Sequence, residues 1–242
     1  MSSGSAVPAV PAALVAQLGL KRARDLAPAP ARGDAGAGIP ARHSLPVTTD
    51  ISRLLPSGAL AAQAAISAGA VGALGLLWRL LAGPTTAGAW CAVVGLRRLY
   101  PLAAAAAGAD LDRIALVDAA GPRIADAANA LADGLAALVV PSAAFTPAQT
   151  RRLASKARRA GTALIWWETR PVVGVDARLS VTRVRWEGLR PNEDRRYGHG
   201  ALRSCELDVA AAWRTGRGAR ESVWPYGGRP EASNVVELRR RR

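Results

Sequence analysis

The strongest constraint in this sequence is a stretch without charge. From Gly58 to Trp78 no Asp, Glu, Lys or Arg occurs, and the run is long enough to cross a bilayer. It is built mostly from Ala and Gly, however, with few Leu and Ile, a composition that inserts weakly into hydrocarbon. A transmembrane reading therefore gives way to one in which the run lies at the buried centre of a folded domain.

The pattern around the run is that of a parallel α/β sheet, in which short apolar strands alternate with longer helical segments. LLPSGALAAQAA holds a turn and a buried strand, and Ala73–Ala82 is a helix. Strands follow at Ala89–Gly95, Asp112–Val117, Ala137–Val140 and Thr162–Trp167, with helices between them at Leu99–Ala107, Pro122–Leu135 and Pro147–Ala160. The last helix carries its own start and stop: Thr146 as cap, Pro147 at the first position and Gly161 at the end. After Arg170 the period changes to two, with strands at Arg178–Trp186, Ala201–Ala212 and Glu221–Tyr226, the last pair separated by the turn signal RTGRG. The fold expected is α/β, a mostly parallel sheet flanked by helices with an antiparallel C-terminal extension.

Three regions follow. Residues 1–46 are rich in Ala, Pro, Gly and Ser, with a short helix expected at Pro11–Leu26 and a flexible linker after it. Residues 47–226 form the core domain, and residues 227–242 a basic tail. The chain has two cysteines, Cys91 and Cys205, far apart and with no secretory pattern ahead of them, so a disulfide framework is excluded and a reducing cytosol is expected. Its two histidines, His43 and His199, stand near no cysteine or carboxylate pair, and no structural metal is expected.

The net charge is +14, from 32 basic and 18 acidic residues. Lys21 and Lys156 are the only lysines, and the Arg and Ala excess has the look of GC-rich coding. The charge surplus itself still favours a polyanionic partner, either nucleic acid or an acidic protein surface.

The order and spacing of LLPSGAL, GAWCAVVG and AGADLDRIALVDAAGP resemble a RecA-fold protein, most closely the actinobacterial RecA-like mutasome accessory proteins of the ImuA group, over residues 45–226. A working phosphate loop needs GxxxxGK[ST], in which lysine meets the phosphates and a hydroxyl holds Mg²⁺. Here the place reads AISAGAVGAL. With Ala65 at the first glycine, Ala70 stands at the second, Val71 at the lysine and Gly72 at the hydroxyl, so both chemical functions are missing. The resemblance would put a water-activating glutamate after AWCAVVG, where Gly95 and Leu96 stand. It would put the Walker B aspartate at Pro141, and Glu168 at the place of the glutamine that senses the γ-phosphate. The second DNA-binding loop of RecA proteins is cut to PVVGVD, Pro171–Asp176, with no basic residue.

These losses imply a protein without ATPase activity, catalytic residues, cofactor or metal. By resemblance it would be a non-catalytic scaffold in damage-induced, error-prone translesion DNA synthesis, cytoplasmic and nucleoid-associated. It would link an ImuB-like inactive Y-family polymerase homologue to an error-prone C-family DNA polymerase. The alternative is a basic repair accessory protein that contacts DNA directly through electrostatics. Candidate contacts are Arg151, Arg152, Arg158 and Arg159 on one helix, whose face reads equally as simply solvated, and the aromatics Trp213 and Trp224. The terminal Arg239, Arg240, Arg241 and Arg242 are the other candidates, beside the apolar NVVEL. Trp166 and Trp167 should point to opposite sheet faces. Self-association is left open, and no membrane partner is expected.

Overall fold

The computed structural model describes residues 44–60, 62–190 and 199–227. The expected helix at Pro11–Leu26 and the tail at Arg239, Arg240, Arg241 and Arg242 lie outside the described residues. After a short helix α1 (Thr49–Ser52) come β1 (Gln63–Ser67), α2 (Ala73–Thr86), β2 (Cys91–Val94), α3 (Pro101–Ala106) and β3 (Ile114–Val117). The chain continues through α4 (Arg123–Leu131), β4 (Ala137–Pro141), α5 (Pro147–Ala160) and β5 (Ala163–Glu168). It then runs through β6 (Ala177–Arg190), β7 (His199–Trp213) and β8 (Gly218–Val223).

All eight strands share one sheet, in the order β3-β2-β4-β5-β1-β6-β7-β8. β1 pairs in parallel with β5 on one side and with β6 on the other. The chain reverses only at β7, which is antiparallel to β6 and to β8. The α/β expectation therefore holds, with the refinement that β6 still runs with the parallel core.

Alternation along each strand sorts side chains to two faces. Ala64, Ile66, Cys91, Val93, Val139 and Ile165 pack toward α1, α2 and α3, in one cluster with Ile51, Leu76, Leu80 and Ala104. Ala65, Val94, Leu138, Val140, Leu164 and Trp166 pack toward α4 and α5, with Ile124, Ala128, Leu153 and Ala157. Trp166 and Trp167 accordingly split: Trp166 meets Phe145 edge-on, centroids 5.6 Å apart, and Trp167 packs on the opposite cluster. The parallel strands are covered on both faces, which explains why their sequences read as continuous apolar runs.

The uncharged run is thereby accounted for. Gly58–Trp78 contains a turn, the central strand β1, a five-residue loop and the start of α2, and no helix among the described residues is long and apolar enough to cross a membrane. Helix α2 passes the expected stop at Gly83 and Pro84. In the turn that contains Pro84, the hydroxyl of Thr85 donates to the carbonyls of Leu81 and Ala82, and that of Thr86 to Ala82 and Gly83. Gly83 is itself required, because a Cβ there would lie 2.5 Å from the Cα of Val47, where the chain enters the domain.

Candidate functional site: the carboxyl edge of the parallel strands

In open α/β sheets, ligands sit beyond the carboxyl ends of the strands, so the ends of β1, β2, β4 and β5 define the place to look. The structure brings the degenerate motif positions to this edge. Ala70 and Val71 lie in the β1–α2 loop, and Gly72 is the N-cap of α2 at φ 86. Pro141 ends β4 opposite Trp167 of β5, and Trp167 in turn pairs with Ile66 of β1. Ala65 is different: it lies inside β1 and is fully buried among the α4 and α5 contacts. The lysine and hydroxyl of a phosphate loop open its helix, and counted from the start of α2 their places fall on Ala73 and Leu74. Neither counting supplies an ammonium or a hydroxyl.

The start of α2, just past the loop, is also covered, while Gly69 and Val71 in the loop stay exposed. β6 pairs with β1 only from Ala177 to Leu179, and beyond Leu179 β6 and β7 pair with each other as an arm. Side chains from this arm roof the first turn of α2. A Cβ on Gly72 would lie 2.7 Å from Leu207 Cδ2 and 3.2 Å from Val184 Cγ2. One on Gly75 would lie 2.9 Å from Tyr226 Oη. Tyr226 stacks on Trp186 of the arm at 5.9 Å, and burial raises its phenol pKa. Trp186 stays 46% exposed and Val71 78%. Tyr100 and Leu102, just after β2, are exposed as well. The edge therefore presents exposed apolar side chains from the β1–α2 loop, the start of α3 and the β6 arm.

Between β4, β5 and β6 the same edge is stitched by two polar clusters that sequence reasoning did not find. Glu168, its side chain 6% exposed, takes Arg178 Nε at 2.7 Å and Arg178 Nη2 at 2.9 Å. It also accepts the backbone N–H of Val172 at 2.8 Å, and Arg178 donates on to the Val172 carbonyl. The Glu168 hydrogen bond raises the Arg178 pKa further. The carboxylate is thus committed to pinning the 171–176 loop against β6. One turn away, Ser142 Oγ accepts from the N–H groups of Thr169 and Arg170 and donates to the Arg170 carbonyl. The Arg170 guanidinium returns to the carbonyls of Ser142, Ala143 and Phe145.

The remaining candidates lie elsewhere. Arg151, Arg152, Arg158 and Arg159 are exposed together on α5. Trp213 Nε1 donates to the Leu54 carbonyl at 2.9 Å, which fixes the end of β7 to the segment after α1. Trp224 lines a cleft of about 960 Å³ between α1 and β8, with Asp50, Arg79 and Glu221 among its walls. Asp50 and Arg79 pair there at 3.0 Å. Among the described residues no group of three or more His, Cys, Asp or Glu could hold a metal ion.

Fold and edge together define an α/β domain with an eight-stranded, mostly parallel sheet whose loop after β1 carries neither lysine nor hydroxyl. Residues 53–172, from α1 to the loop past β5, match the family model described as the MT3502 N-terminal domain. No match was found among curated proteins.

Proposed function

We propose that this chain is a non-catalytic, RecA-like scaffold of the ImuA type, acting at the nucleoid in damage-induced translesion synthesis. In this reading it joins an ImuB-like Y-family polymerase homologue to an error-prone C-family polymerase. The observation that carries the reading is the roofing of α2 by Val184 and Leu207 over a loop with neither lysine nor hydroxyl. A triphosphate would meet no side-chain ammonium or hydroxyl in that loop, and a covered first turn of the helix behind it. What this edge offers instead is exposed apolar area, from Val71, Tyr100, Leu102 and Trp186, the kind of side chain on which protein interfaces are anchored.

Two measurements test it. Equilibrium dialysis with Mg-ATP should give no binding at micromolar nucleotide, and micromolar binding or hydrolysis sinks the non-catalytic reading. Copurification from DNA-damaged cells should recover the two polymerase-type partners with the wild-type chain. The Val71→Asp variant, which alters only an exposed loop tip, should recover at least tenfold less, at an unchanged melting temperature. Recovery of neither partner by the wild type removes the scaffold reading.

A further inference from the structure

Helix α5 carries a surface that the scaffold reading does not use. Of its residues, Leu153, Ala154 and Ala157 are buried against β4 and β5, and both ends are capped, by the Thr146–Gln149 capping box and by Gly161 at φ 77. The outward face holds Arg151, Arg152, Ser155, Arg158 and Arg159, all exposed. At about 100° per residue, Arg151 and Arg158 form one ridge and Arg152 and Arg159 a second, about 100° round the axis. Within each ridge the two arginines stand about 10 Å apart, and Ser155 lies between the ridges.

This face departs from an ordinary solvated one in two ways. Exposed helices usually interleave signs, because i,i+4 pairs of opposite charge stabilise them and like charges repel, yet α5 contains no Asp or Glu. Lys156 finds a carboxylate, Asp133 of the segment after α4, at 3.4 Å. Among the described residues nothing pairs with the four arginines. The uncompensated charge matches the whole chain, in which residues after 150 hold 21 basic against 10 acidic side chains.

The chemistry chooses between two polyanions. A protein interface needs an apolar centre that excludes water, and the outward face of α5 has no large apolar side chain, only arginines around a serine. A sugar–phosphate backbone needs no such centre. It is recognised by guanidinium groups that pair bidentately with phosphate oxygens, and the small Ser155 lets a strand lie close between the ridges. We infer that the four arginines of α5 form a sequence-independent contact for the phosphate backbone of nucleic acid. The contact stands independently of the scaffold reading, since it lies on a helix face and not on the carboxyl-edge loops.

The test uses the full-length chain with labelled single strands and duplexes of about 30 nucleotides, titrated across salt concentration by fluorescence anisotropy. Four variants are compared with the wild type: R151A/R152A/R158A/R159A, the same four changed to Lys, the single ridge R151A/R158A, and a chain lacking residues 239–242. Each occupied phosphate contributes about 0.9 to the salt slope on duplex and about 0.7 on single strands. The quadruple Ala variant should lower the slope by about 3 to 4 and weaken binding at least tenfold near 0.1 M salt. The single ridge should lose about half as much, and the Lys variant should keep the slope. Whichever substrate loses more slope identifies the form bound. An unchanged slope in the Ala variant, or loss of slope only on removing residues 239–242, overturns the proposal. Equal displacement of DNA by polyglutamate of matched charge also overturns it, in favour of an acidic protein.

Discussion

Glu168 and Arg178 decide more about this molecule than their positions in the sequence suggest. A carboxylate at the end of a central strand reads as a group aimed at a ligand, but here its oxygens are taken up by Arg178 and the Val172 N–H. The pair closes the turn between β5 and β6 without a crossover helix, and lets β6 run beside β1. Replacing Arg178 by Met keeps the aliphatic stem and leaves a nearly buried carboxylate with one backbone donor. Because the guanidinium is about one-third exposed, part of the interaction is screened, and the expected loss is about 1–3 kcal/mol in urea unfolding. A change below about 0.3 kcal/mol would mean the pair is solvated in solution. Gly72→Ala should cost a similar amount, about 1–3 kcal/mol. Its backbone sits at φ 86 and its Cβ would overlap Leu207. Unchanged stability of that variant would show that the arm does not rest on α2.

Elements whose ends are set by local chemistry were readable from the sequence, and those set by distant contacts were not. Helix α5 spans Pro147–Ala160 as expected, because Thr146, Pro147 and Gly161 each act on their own neighbours. Thr146→Ala should therefore cost about 1 kcal/mol in thermal or urea unfolding, with the loss confined to cap formation. The α2 end was missed because Gly83 and Pro84 read locally as a stop, whereas the helix continues to Thr86 with Gly83 packed against Val47, far back along the chain. β6 and β7 are longer than expected because their period-two pattern is broken at register shifts between Val181 and Arg183 and between Glu187 and Leu189. The arm they form is what covers the first turn of α2. Absence of lysine and hydroxyl was legible from AISAGAVGAL, but the covering of Gly72 was not, since Leu207 lies far along the chain from it. The Ser142–Arg170 stitch was invisible for the same reason, its partners being 28 residues apart.

At the scale of the whole molecule, the family match ends at residue 172, but the core does not. The cluster over α1, α2 and α3 includes Leu76, Leu80, Cys91 and Val139 from the matched part, and Leu179, Cys205, Leu207, Val209 and Val223 from beyond it. β1, central in the sheet, would become an edge strand if β6 were removed. A fragment ending at residue 172 should therefore lack a cooperative unfolding transition. The two thiols probe the same unity from opposite ends. Both cysteines are buried, and burial pushes the Cys91 thiol up to about 12 and the Cys205 thiol up to about 11, against an ordinary 9.0. The folded state thus holds both protons that the unfolded chain releases near pH 9, so this contribution to stability is complete below that pH and fades as pH rises toward 11 and 12. At pH 8 neither thiol should react with a disulfide reagent until the molecule opens. If β1 through β8 unfold as one unit, the single-cysteine variants C91A and C205A will label at one common rate, equal to global unfolding. Labelling of Cys205 more than tenfold faster than Cys91 would mean that β6, β7 and β8 open separately from the parallel core, and that the sheet holds two cooperative units.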